Sequence, residues 1–246
     1  MTDAGTLAML GLAAATFAGA VAQRSTGMGF ALLASPFLTL VLGPFEGILV
    51  ANVCGSVASL LNLTQVWRDV DWSRAAILVP MGLVGVVPGA IAVLLLPTAP
   101  LMIGVSAVVI IGLGLTMMLR GRTLPSSRTL AAAGGLASGF MNVTAGVGGP
   151  GVVVYARATG WPHHRFAATA QLQFLTLGIA SLLSKQSLPA LTAVGWSALL
   201  ASLILGLLVG NWISPKIEPE LAMRLVMAVA IGGAVLAFGR GLASLL

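Results

Sequence analysis

The chain has 246 residues, 58% of them hydrophobic and 7% charged, with a mean hydropathy of +1.06. That composition cannot furnish the surface of a soluble domain, so it places the chain among polytopic membrane proteins. The formal charge of +6 comes from 12 basic residues spread singly or in twos and threes at segment ends, a distribution that marks topology and excludes a nucleic-acid-binding patch.

The start, Met1-Thr2-Asp3, lacks the basic region of a cleavable signal peptide, so the first apolar stretch is expected to stay in the mature protein. Hydropathy, with Gly, Pro and charge as punctuation, predicts ten segments: 4–22, 28–42, 45–66, 73–96, 100–119, 129–141, 147–159, 164–184, 188–213 and 219–243. Two glycine-rich breaks interrupt them 119 residues apart, Gln23-Arg24-Ser25-Thr26-Gly27-Met28-Gly29 and Asn142-Val143-Thr144-Ala145-Gly146-Val147-Gly148. Each reads amide, any residue, hydroxyl, any residue, Gly, any residue, Gly. Asn52 and Gln171, and Asn62 and Ser181, correspond at the same offset, while Gly85 and Gly89 match Gly206 and Gly210 at 121.

The expected fold class is therefore an all-α polytopic membrane protein of two five-segment repeats, residues 1–121 and 129–246, joined by a cytoplasmic linker at 122–128. Segments 28–42, 129–141 and 147–159 fall short of the roughly 20 residues a span needs, so the first two segments of each repeat read as short and re-entrant. An odd number of crossings per repeat inverts the second relative to the first. Alternating the connections puts Arg68, Arg74, Arg120, Arg122, Arg128, Arg157, Arg165, Lys216 and Arg224 on one side and Lys185 and Arg240 on the other. The first side is then cytoplasmic and both termini face outward, in a bacterial inner membrane into the periplasm. Trp67, Trp72, Trp161, Trp196 and Trp212 fall near segment ends, where an aromatic interface belt belongs.

Backbone that leaves a helix inside lipid needs new hydrogen-bond partners or a cavity, and broken helices in corresponding places of two repeats point to a transport site. The substrate-binding candidates are Gln23, Arg24, Ser25, Gly27, Gly29, Asn52, Asn142, Thr144, Gly146, Gly148 and Gln171. Arg24 is a mid-membrane oxyanion donor if the first pair is re-entrant, or a cytoplasmic anchor if it spans. The amides and hydroxyls donate to an anion without adding charge, or they cap the broken helix ends. Asn52, Ser56, Ser59 and Asn62 share one helical face, and Thr169, Gln173 and Thr176 another, as walls of a polar path or as interhelical hydrogen-bonding groups. His163 and His164 read as a solvated turn, and Cys54 as a packing residue with no partner for a disulfide or metal.

All six acidic residues, Asp3, Glu46, Asp69, Asp71, Glu218 and Glu220, lie in termini or connections, which disfavours a carboxylate proton relay. No G-x-S-x-G, H-E-x-x-H or cysteine pair is present, so neither an enzyme nor a cofactor is expected.

Gly27-Met28-Gly29-Phe30, Ala34-Ser35-Pro36, Ala51-Asn52, Gly135, Gly139 and Gly146-Val147-Gly148-Gly149-Pro150 resemble the sulfite exporter TauE/SafE family of bacterial membrane proteins. The resemblance implies transport of sulfur-containing anions such as sulfite, sulfoacetate or other organosulfonates. The expected function is a permease exporting small sulfur oxyanions, with a small-carboxylate transporter, for lactate for example, or a passive anion channel as alternatives. Its expected partners are the anion and membrane lipid, with no nucleic acid; oligomeric state is left open.

Overall fold

The computed structural model describes residues 3–118 and 125–243. Among the described residues ten helices follow one another: α1 (Asp3–Thr26), α2 (Gly29–Leu42), α3 (Pro44–Val66), α4 (Trp72–Leu95), α5 (Thr98–Met118), α6 (Arg128–Ala145), α7 (Gly149–Ala158), α8 (His163–Lys185), α9 (Ala193–Ile213) and α10 (Pro219–Ala243). Short 3-10 turns follow α3 at Trp67–Asp69 and α9 at Ser214–Lys216. Residues 119–124, including Arg120 and the linker residue Arg122, lie outside the described residues, as do the side chains of Asp3, Glu220 and Arg240.

Among the described residues six helices are long and apolar enough to cross a membrane: α1, α3, α4, α8, α9 and α10. α2 and α7, at 14 and 10 residues, are too short to span, whereas α1 runs to 24. This corrects the expectation that the first two segments of each half are both short. The polar residues Ser25 and Thr26 do not end α1, because their hydroxyls donate back to the Val21 and Ala22 carbonyls at 3.1 and 2.8 Å. Thr144 extends α6 in the same way, donating to Phe140 O at 2.7 Å. Conversely, α9 begins at Ala193, five residues later than hydropathy predicts. Pro189 brings no N–H to a first turn there, and the Thr192 hydroxyl caps the helix by accepting from Gly195 N at 3.2 Å.

The packing is duplicated. α4 lies along α6 as α1 lies along α9, while α3 pairs with α8 and α5 with α10. Small residues permit the first two approaches: Gly82 meets Gly139 across α4 and α6, and Gly206 and Gly210 meet Phe17 and Val21 across α9 and α1. The outward faces match too. Leu83, Val84, Val87 and Ile91 of α4 are exposed, and so are their counterparts 121 residues on, Ile204, Leu205, Leu208 and Trp212 of α9.

The ends sort the connections. Asp71, Ser73, Arg74, Ser126, Ser127, Arg128 and Arg165 border one surface depression, so the stretch before α6 and the α3–α4 and α7–α8 connections share an end. At the other, Ala190 N donates to the Glu46 carboxylate at 3.1 Å and Met9 packs beside Gly195. Trp67, Trp72 and Trp212 are exposed, but Trp161 is only 6% exposed. It leaves the aromatic belt because Arg74 lies 4.6 Å over its ring and Tyr155 and Phe166 meet it edge-on.

Candidate functional site

Both breaks are built alike. Gly27 and Gly146 sit in the left-handed region at φ of 80° and 68°, where a Cβ is strained. Their N–H groups donate to Gln23 O and Asn142 O, each at 2.8 Å, which closes the last turns of α1 and α6. A carbonyl freed at each break is satisfied by the other half of the chain: Gln171 Nε2 of α8 donates to Gly27 O at 2.5 Å, and Ser35 Oγ of α2 donates to Ala145 O at 2.6 Å. The non-helical backbone is thus locked inside protein, as a bilayer requires.

The side chains then diverge. Gln23 is 2% exposed and fully engaged: its Nε2 donates to Gln171 Oε1 at 2.8 Å and Ser59 Oγ at 3.3 Å, and its Oε1 accepts from Phe30 N at 3.0 Å. Asn142 is one methylene shorter and 5% exposed, and its Oδ1 has no partner. α7 begins beside it with no side-chain cap at Gly148, so the positive end of the helix dipole lies at the break.

The two breaks border one small cavity of about 20 Å³ between α3 and the opposing half, lined by Gln23, Asn52, Ser56, Ser59, Asn142 and Gly146. Gly148 also reaches it. Ser56 Oγ, like Asn142 Oδ1, is buried there without a hydrogen bond. Asn52 donates to Ile48 O at 3.0 Å and Ser181 Oγ at 3.1 Å. The room suits a single water-sized group, so the described conformation is closed to an oxyanion.

The remaining predicted residues stand apart from the cavity. Gln171 braces Gln23 and Gly27 from α8. Ser25 and Thr144 bond their own helices, and Gly29 packs against Ala22. Arg24 points away, toward the ends of α3 and α9, where it donates to Gln65 at 2.6 Å, Asn211 at 2.8 and 3.1 Å and Asn62 at 3.3 Å. A depression of about 240 Å³ opens around it.

α3 and α8 run antiparallel, since Asn52 meets Ser181 while Ser59 and Gln171 both meet Gln23. Their seam carries polar groups along its whole length, from Arg24 and Asn62 at one end to Lys185 at the other. Lys185 was expected in a connection as a topology charge. It is instead the last residue of α8, 6% exposed, donating to Ser181 Oγ at 3.2 Å. The missed signal was periodicity, because Gln171, Gly178, Ser181 and Lys185 share one face of α8.

A family model for the sulfite exporter TauE/SafE matches residues 11–238, almost the whole helical body. The chain belongs to the TauE/SafE family. This TauE/SafE protein is therefore a multi-pass membrane transporter rather than an enzyme. No curated protein and no solved structure matches it.

Proposed function

We propose that this protein exports small sulfur-containing oxyanions, sulfite or organosulfonates, across a bacterial inner membrane along the α3–α8 seam. The observation that carries the reading is the shared cavity. Two breaks 119 residues apart converge on it, and the polar atoms left unpartnered there, Ser56 Oγ and Asn142 Oδ1, belong to side chains that donate to an anion as readily as they accept. Turning the Asn142 amide by 180° presents Nδ2, and Gly148 and Gly149 at the start of α7 add backbone donors. Matched packing and matched exposed faces support two repeats with an inverted relation, and the clustering of Arg74, Arg128 and Arg165 at one end supports a cytoplasmic face there, with both termini outside.

The cavity's size favours a carrier over an open channel, because an anion fits only if its walls part. An inside-negative potential contributes about 2.3 kcal/mol per outward-moving negative charge per 100 mV, so export proceeds without a coupled proton. The deciding experiment is a flux panel in proteoliposomes with sulfite, sulfoacetate, thiosulfate, sulfate and lactate. Saturable, counterflow-competent transport of a sulfur oxyanion is expected. Transport of lactate alone, or flux that rises linearly with concentration, overturns the reading.

A further inference from the structure

Among the described residues Lys185 is the one strongly buried charge, and it lies outside the cavity lining. Its ammonium carries three donors and, among the described residues, has a single acceptor, Ser181 Oγ at 3.2 Å, and no ion pair. At 6% exposure it does not snorkel to headgroups. A cation held in this state is expensive unless a counter-charge visits it.

Its surroundings lead to the cavity. Ser181 Oγ, which accepts from Lys185, also accepts from Asn52 Nδ2 at 3.1 Å, and Asn52 lines the cavity wall. Two residues, Ser181 of α8 and Asn52 of α3, thus connect the ammonium to the cavity that holds the unpartnered Ser56 and Asn142. At this end of the bundle the Glu46 carboxylate is engaged elsewhere, accepting from Ala190 N at 3.1 Å. At the opposite end of the seam Arg24 occupies the corresponding station, but half-buried and bonded to Asn62, Gln65 and Asn211. The seam therefore has a cation at each end, and the two differ: Arg24 makes four hydrogen bonds to amide oxygens, while Lys185 makes one bond with its three donors.

We propose that Lys185 is a second anion-binding residue, holding the transported oxyanion at the end of the seam opposite Arg24 through its ammonium and the Ser181 hydroxyl. The inference rests on the transport reading above and adds a subsite to it. The anion passes between this station and the donors at Asn142 and Ser56, so the ammonium faces a charge in transit.

The test pairs binding with sided transport. Purified protein is titrated with sulfite, sulfoacetate and lactate, and reconstituted protein is assayed for half-saturation from each face of the membrane. Lys185→Met is expected to weaken binding at least tenfold and to raise half-saturation at least tenfold on the Lys185 face, with less than a threefold change on the Arg24 face. Lys185→Arg is expected to stay within threefold of the parent, and Lys216→Gln, whose ammonium stacks on Trp212 at the other end, to change nothing. Should Lys185→Met fail to fold, Lys185→Gln keeps a donor for Ser181 without the charge and carries the same expectation. Unchanged binding in these variants, with binding lost in Asn142→Leu, overturns the role of Lys185 and leaves the transport reading standing. Lys185-dependent binding of lactate alone overturns the sulfur substrate and keeps the subsite. An absence of binding to any of the three anions overturns both.

Discussion

The two glycine breaks share a backbone and differ in what their amides do. At the first, Gln23 reaches Ser59, Gln171 and the Phe30 N–H, so the corner between α1 and α2 is cross-linked by side chains from three helices. At the second, Asn142 is a methylene shorter, and the corner between α6 and α7 leaves its carbonyl facing the cavity without a partner. A buried amide that lacks partners is destabilising by about 1–3 kcal/mol, so retaining one is reasonable where a ligand completes it. The two corners share a geometry, one closed by the protein and the other, under the proposed function, completed by the substrate.

Replacing the two amides separates these roles most sharply. Asn142→Leu is expected to reduce transport at least a hundredfold while changing stability by no more than about 1 kcal/mol, because no internal hydrogen bond is lost. Gln23→Leu strands the Phe30 N–H and the Gln171 carbonyl, and should destabilise the protein by about 2–4 kcal/mol. Flux and thermal unfolding of both variants check the contrast. Equal loss of stability in the two would erase the distinction between the corners.

The glycines test the shared backbone. Gly27→Ala combines a left-handed φ of 80° with a Cβ driven against the Ala167 main chain. Gly146→Ala has φ of 68° and meets the Ser35 hydroxyl, which can turn aside only by giving up its bond to Ala145 O. Gly43→Ala, at φ of 85° and ψ of 163°, meets nothing within 4 Å, so the strain of a backbone region that is essentially glycine-only, about 1–3 kcal/mol, stands alone there. Melting temperatures are expected to fall furthest for position 27, less for 146 and least for 43.

The ten helices were readable because hydropathy and the Gly, Pro and charge punctuation agree along nearly all of the chain. Ends were missed where a local bond overrode hydropathy, as with Ser25, Thr26 and Thr144 extending their helices. Within the site, repetition located the breaks but not the direction of each side chain. Residues two apart on a helix point about 200° apart, so if Gln23 and Asn142 face the cavity, Ser25 and Thr144 turn from it. Lys185 was hidden for another reason: a lysine closing an apolar segment looks like a loop charge until the facing helix is known to cover it.

Arg24 extends the comparison to the seam ends, and a smaller effect is expected there than at Asn142. Its guanidinium holds Asn62, Gln65 and Asn211 together at the mouth beside the first break. Arg24→Gln removes a positive charge from the entrance without touching the cavity wall. Half-saturation from the Arg24 face should rise roughly tenfold at low salt, and the difference should shrink as ionic strength grows. A loss of maximal flux with unchanged half-saturation would place Arg24 inside the translocation step instead.

Ser25 and Thr144 give the smallest effect and the most direct check on which way the corners face. They are equivalent residues, and each donates to the carbonyl four positions earlier in its own helix, at 3.1 and 2.7 Å. That bond competes with the helix's own bonding as much as it supports it. Ser25→Ala and Thr144→Ala should therefore shift stability by less than about 1 kcal/mol and leave half-saturation within twofold. A tenfold rise in Thr144→Ala alone would mean that the hydroxyl swings from Phe140 toward the anion when the cavity opens. That result would extend the substrate-facing character of the second corner beyond Asn142, while leaving the first corner as the closed one.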